Sequence, residues 1–291
     1  MNTTLTLKNK TLKATFKTKG AELIGLTNGK VEYIWKGDPV FWGKHSPVLF
    51  PIVGELKNNS FFYQNNQYHL CKHGFARDME FTVLKHNKET IVFDLKQDTK
   101  TRVNYPFDFS FQIIYLLNNN TLTVSYKVHN PSEKDLYFSV GAHPAFSCPF
   151  ENHQKREEYQ LVFDTLDTPK SNSIQNGLRN GNQFNIFQEK GKLNISKNLF
   201  DNDALVFSPN PFSEITFLHT PTNKRYLKVR FPNFPYLGIW SKNKDAPFIC
   251  IEPWYGINDT IDHNQKLERK EGILKLASLK TFHSEYTIQT L

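Results

Sequence analysis

Residues 109–128 read FSFQIIYLLNNNTLTVSYKV. Apolar side chains fall on every second position, at Phe109, Phe111, Ile113 and Tyr115, and again at Leu122, Val124, Tyr126 and Val128. An extended chain sends successive side chains to opposite faces, so each run predicts a strand with one buried face. The asparagines at 118–120 separate the runs and are residues that turn a chain readily. The stretch therefore predicts two strands joined by a short turn.

The same grammar repeats outward in both directions. Ile91, Phe93 and Leu95 alternate with polar residues, as do Leu227, Val229 and Phe231. Asn28-Gly29 reads as a tight hairpin, and Asn65-Asn66 joins residues 61–63 to residues 68–70 in the same way. Helical signals are weak; residues 151–159 are the best candidate for a short helix. The Asn-rich stretch 171–185 reads as a surface loop or strand connection. No fixed-period repeat and no Pro/Gly/Ser linker divides the chain. The expectation is an all-β protein, a single large β-sandwich over residues 1–291 with few short helices. The 25 phenylalanines fit a core in which flat rings pack between sheets.

The formal charge of +8 and a pI near 9.2 would suit an anionic partner. The lysines are scattered, however, as at Lys8, Lys10, Lys13, Lys17 and Lys19, which reads as solvated surface. Nucleic acid and membrane are therefore not expected as partners, which leaves a small molecule. Cys71, Cys148 and Cys250 are too few and too uneven for a disulfide framework. The segment MNTTLTLKNK has no apolar signal core, and the expected location is cytoplasmic.

Four segments interrupt the alternation with polar residues in apolar settings. Lys72-His73-Gly74-Phe75-Ala76-Arg77 offers an imidazole and a guanidinium beside a glycine that permits a sharp turn or a close approach. A strand end with a capped histidine is the plainer alternative. In Val140-Gly141-Ala142-His143-Pro144-Ala145-Phe146, small neighbours leave room around His143 and Pro144 forces residue 143 into an extended conformation. A structural histidine is again the alternative. Asp203 precedes the apolar run at 204–207, as either a sugar-binding carboxylate or a turn acid. Glu252 ends the apolar run at 248–251 and is followed by Trp254, a flat face against which a sugar ring can stack. Desolvation there would raise the carboxyl toward the range of a useful base, whereas a purely structural glutamate would need a cationic partner.

Together these segments resemble the aldose 1-epimerase (galactose mutarotase) superfamily. The resemblance rests on residues 72–77, 141–146, 203–207 and 251–254, in that order and at wide spacing, and runs from about residue 5 to the C-terminus. Residues 46–54, SPVLFPIVG, resemble the LacX-type branch. The resemblance implies a supersandwich fold and an isomerase that interconverts the anomers of an aldose without metal or cofactor. It implies Glu252 as base at the C1 hydroxyl and His143 as acid at the ring oxygen, which requires an ionised Glu252 and a protonated His143 at the outset. It implies His73, Arg77 and Asp203 as contacts to sugar hydroxyls or a substituent, and Trp254 and Phe75 as stacking faces. Glu55 stands where relatives carry an arginine, and Lys57, two residues on, offers a replacement cation. Lys72 stands where hexose-phosphate epimerase relatives carry a glutamine.

Three other readings compete. A sugar-binding sandwich without chemistry needs no acid–base pair. A glycosidase wants two carboxylates flanking the bond, of which only Glu252 is evident. A zinc site from Cys71, His73, His143 and Cys148 matches no standard ligand spacing.

Overall fold

The computed structural model describes residues 3–291. Two large antiparallel sheets form a sandwich. The first has nine strands, ordered Lys192–Asn194, Tyr159–Phe163, Glu214–His219, Lys224–Arg230, Thr281–Thr290, Thr121–His129, Ser110–Asn118, Thr90–Lys96 and Thr82–His86. The run at 109–128 forms its sixth and seventh strands. Ser110–Asn118 pairs antiparallel with Thr121–His129, with Leu122 opposite Leu117 and Val124 opposite Tyr115. Along Thr121–His129, burial alternates without a break from Leu122 to Val128.

The second sheet runs in the order Leu178–Phe184, Ser171–Gln175, Leu205–Phe207, Tyr236–Trp240, Phe248–Tyr255, Val140–Ala142 and Val48–Leu49. The inner faces of the two sheets enclose the main core, where Phe50 stacks on Phe111 at 4.5 Å and meets Phe109 edge-on at 5.1 Å. These rings lock the layers together because offset and edge-on contacts add to the burial of their area.

Three local expectations change. The hairpin at 60–69 turns on Gln64 and Asn65, both at positive φ, one residue earlier than the Asn65-Asn66 reading. Positive φ at both central residues matches the right-handed twist of the flanking strands. Residues 171–185 form paired strands at the edge of the second sheet, not a loop. Their outer polar residues meet water at the sheet edge, and the buried ones, Ser171, Asn172 and Arg179, are hydrogen-bonded to neighbouring backbone. Residues 151–159 contain only one 3₁₀ turn, Arg156–Glu158. The α-helix Thr99–Asn104 starts where the Asp98 carboxylate accepts the Thr101 amide at 2.7 Å. Among the described residues, no helix is long and apolar enough to cross a membrane.

Candidate active site

The site grows from the strand Phe248–Tyr255. Ile249 and Ile251 enter the main core. Phe248, Cys250, Glu252 and Trp254 therefore share the opposite face, as period two requires. Along one edge this strand pairs with two short strands in succession. Val140–Ala142 places Gly141 opposite Trp254, and Ala145–Ser147 places Ala145 opposite Cys250. Two residues beyond Gly141 and two before Trp254, His143 and Glu252 thus come across from one another. Pro144 has no amide hydrogen to give the ladder, so pairing lapses at this point and the imidazole is free of it. His143 Nε2 lies 3.2 Å from Glu252 Oε2, with both side chains buried.

Trp254 follows two residues on. Its indole N–H donates to the Ala142 carbonyl at 3.2 Å, and its ring lies over two glycines. A Cβ on Gly238 would stand 2.5 Å from the ring, and one on Gly141 would stand 2.6 Å from it. Those two positions are empty of side chain so that the indole can lie against the sheet.

His73 enters from a tight turn. His73 and Gly74 are both at positive φ, and a Cβ on Gly74 would stand 2.3 Å from the Phe50 carbonyl oxygen. The turn thus presses against residues 50–51, the close approach anticipated for this glycine. The Gly54 amide donates to His73 Nδ1 at 3.1 Å, which leaves the proton of a neutral ring on Nε2. Burial, reinforced by His143, Lys72 and Arg77, holds His73 well below the ordinary histidine range. It is therefore a neutral N–H donor. Its ring meets His143 edge-on at 5.7 Å.

These residues line a cleft of about 710 Å³. His143, Glu252, His73, Arg77, Asp203 and Trp254 all border it, so six of the residues singled out in the sequence come together. Asp203 is at positive φ, and one carboxylate oxygen accepts its neighbour Ala204's amide at 2.7 Å. It is a turn acid and a cleft residue at once. Arg77 donates to the Lys72 carbonyl at 2.8 Å. Lys72 and Lys242 also border the cleft.

Protonation differs from the expected starting state. Burial raises Glu252 well above the ordinary carboxyl range; Lys72 lowers it, less strongly, and Asp203 adds to the rise. Burial also lowers His143, to about 3, with Arg77, Lys72 and Lys44 pushing the same way. Each group taken alone is thus driven to its neutral form. The neutral pair and the expected ion pair hold the same number of protons, however, and differ only by one transfer across 3.2 Å.

Two expected contacts lie elsewhere. Phe75 turns away from the cleft and packs edge-on against Phe50 at 6.4 Å and Tyr105 at 6.2 Å. Its position between the two presented residues, His73 and Arg77, directs it to the core. Lys57 is engaged locally, with its amide on Asp259 at 3.0 Å and its ammonium on the His263 carbonyl at 3.2 Å. Glu55 packs against Gly177, outside the cleft lining. Nor do Cys71, His73, His143 and Cys148 gather: Cys71 is exposed and Cys148 lies in the main core. Donor atoms of His143, Cys250 and Glu252 do lie within 4.8 Å of one another. Burial, with Glu252 alongside, keeps the Cys250 thiol well above its usual range, and Lys72 and Arg77 oppose a further cation there.

Several lining residues escaped the sequence reading, notably Trp42, Trp240, Lys242 and Asn258. Trp42 carried one available signal: it lies in the loop GDPVFWG at 37–43, where aromatics occur without strand alternation. Asn258 carried none. Its amide donates to the Gly177 carbonyl at 2.7 Å, a contact 81 residues away in sequence.

A family model described as aldose 1-epimerase matches residues 3–274. The plasmid-encoded protein LacX of Lactococcus lactis subsp. lactis is 32% identical over 99% of both chains, and the chromosomal LacX of that organism is 33% identical over the same share. The structure of a galactose mutarotase related enzyme from Lactobacillus acidophilus superposes with a TM-score of 0.93 at 33% identity, covering 99% of this chain and 97% of that one. A galactose mutarotase-like protein from Lactobacillus casei gives 0.91 at 28% identity, covering 99% and 100%. The two-sheet architecture, the four sequence segments and these whole-chain matches agree: the chain belongs to the aldose 1-epimerase family, in its LacX-type branch.

Proposed function

We propose that this protein is an aldose 1-epimerase that interconverts α and β anomers by ring opening and reclosure in the cytoplasm. The observation that carries the reading is the 3.2 Å contact between His143 Nε2 and Glu252 Oε2 at a polar cleft. The two oxygens that exchange protons in mutarotation, O1 and O5, are bonded to the same carbon. An acid and a base that sit side by side can therefore serve both.

In the working form, Glu252 is the carboxylate and His143 the imidazolium. Glu252 takes the O1 proton as C1=O forms. The C1–O5 bond breaks, its electron pair goes to O5, and O5 takes the His143 proton. Rotation about C1–C2 and the reverse transfers close the ring on the other face. The buried neutral pair reaches this form by passing one proton from carboxyl to imidazole, and sugar oxygens replace the hydration that burial denies the ions. His73 Nε2–H, Arg77 and Asp203 offer two donors and an acceptor to sugar hydroxyls, and Trp254 offers an apolar face.

Polarimetry of freshly dissolved α-glucose and α-galactose tests the reading. A rate well above the spontaneous one is expected. Binding without acceleration would make the protein a carbohydrate-binding sandwich instead. A second reading, a phosphorylated aldose as substrate, is favoured by the three cations Lys72, Arg77 and Lys242 along the cleft. A panel of free and 6-phosphorylated aldoses separates the two by kcat/KM.

A further inference from the structure

His143 is enclosed by aromatic rings that ring opening does not itself require. Trp42 stacks on the imidazole with centroids 5.0 Å apart and planes 27° from parallel. Trp240 meets the imidazole edge-on at 5.7 Å and meets Trp42 edge-on at 5.6 Å. Trp42 also stacks on Phe248 at 5.6 Å, so the indole is wedged among three rings.

The backbone that delivers Trp42 is held as firmly. The Asp38 carbonyl accepts the amides of Phe41 at 3.1 Å and Trp42 at 2.9 Å, and the Asp38 carboxylate accepts the Val40 amide at 3.0 Å. The Trp42 carbonyl in turn accepts the Trp35 indole N–H at 2.9 Å. This loop fixes one face of one ring against the imidazole, while the surrounding chain supplies no hydrogen-bond partner for His143 Nδ1.

We propose that Trp42 is a positioning residue for the proton transfer. It holds the His143 ring with Nε2 facing Glu252, and its π face favours the imidazolium over the neutral ring. The inference rests on the acid–base reading of His143 and Glu252 and adds a residue to it. An indole face attracts a cation lying over it, most strongly where water is excluded. The other charged and titratable groups around the imidazole are Lys72, Arg77, Lys44 and His73, which oppose positive charge there, and Glu252, which supports it. The backbone at His143 itself also favours the charged form, and Trp42 adds an uncharged side chain that acts in the same direction.

The test compares Trp42→Leu, which stays apolar without a π face, with Trp42→Phe, which keeps a smaller one. Trp42→Leu is expected to lower kcat roughly 3- to 30-fold with KM little changed, and Trp42→Phe to recover part of the loss. Unchanged kcat in both variants overturns the proposal. A raised KM at constant kcat also overturns it, because Trp42 would then be a sugar platform. A second readout does not depend on turnover. In protein saturated with 1-deoxyglucose at neutral pH, a sugar that cannot open but whose oxygens support the ion pair, the ¹⁵N shift of His143 Nε2 is expected to lie closer to the neutral value in Trp42→Leu than in wild type. An unmoved shift overturns the electrostatic role. A moved shift in a protein with no wild-type mutarotation leaves this proposal standing and removes the epimerase reading. If Trp42→Leu fails to fold, Trp42→Phe alone still decides through the same shift and the kcat-against-KM split.

Discussion

His143 and Glu252 face one another across neighbouring strands, 3.2 Å apart, at the point where Pro144 interrupts the pairing. Replacing either end should stop proton exchange while sparing the sheet. Glu252→Gln keeps shape and removes the proposed base; His143→Asn removes the proposed acid. Each is expected to lower the mutarotation rate by ~10²–10⁴-fold, with unchanged circular dichroism. Normal polarimetric rates in either variant would refute the assignment.

The protonation of this pair has a consequence for stability. In the unfolded chain, a glutamate titrates near 4.5 and a histidine near 6.5. Between those values, the unfolded Glu252 and His143 hold one proton between them, and so does the folded neutral pair. The pair then contributes no slope. His73 differs: neutral when folded, protonated when unfolded below 6.5. Its folded pKa is depressed, so its linkage favours the unfolded state increasingly as pH falls below 6.5. As pH falls below 6.5, wild type should lose up to about 1.4 kcal/mol per pH unit more than His73→Asn, which has no titrating ring. Parallel urea-derived stability curves for the two proteins would exclude this.

Behind the cleft wall, Lys270 is fully buried, with its ammonium on the Ile257 carbonyl at 2.5 Å and on Asp259 at 2.9 Å. The same carboxylate accepts the Lys57 amide at 3.0 Å, and His263 Nδ1, which accepts the Gln265 amide, lies 3.1 Å from it. Lys270→Ala strands that carboxylate and should cost ~3–5 kcal/mol in urea unfolding. Lys270→Met combined with Asp259→Asn should cost much less. A single-variant loss below ~1 kcal/mol would show that the pair is not needed to hold residues 257–259 in place.

Gly238 provides a purely steric test. Its φ is ordinary, so alanine meets no backbone penalty, but the new Cβ would collide with the Trp254 ring. Gly238→Ala should lose ~1–3 kcal/mol and push the indole toward the cleft, lowering kcat/KM. Unchanged Trp fluorescence and activity would mean that the ring has more room than the structure allows it.

Alternation in the chain was enough to read the strands, because burial on one face of a sheet imposes period two on neighbouring residues. Ser110–Asn118, Thr121–His129 and Thr90–Lys96 all follow from that local rule. The candidate site was legible where chemistry left a local mark: a histidine between small residues and a proline, a carboxylate ending an apolar run, a histidine beside a glycine. Phe75 and Lys57 were misplaced because adjacency in sequence does not say which way a side chain turns once a 3₁₀ turn or an ion network claims it. The strands at 171–185 were read as a connection because an edge facing water needs no apolar stripe.

What the chain alone determined, then, was the alternating strands and the histidine and glutamate that the fold brings together. That His143 stands opposite Glu252 is a matter of register between strands more than a hundred residues apart. That burial drives both to neutral forms, and that Trp42 covers the imidazole, follow from which layers close over them. Distance and desolvation are properties of packed surfaces, and they arise only when remote segments meet.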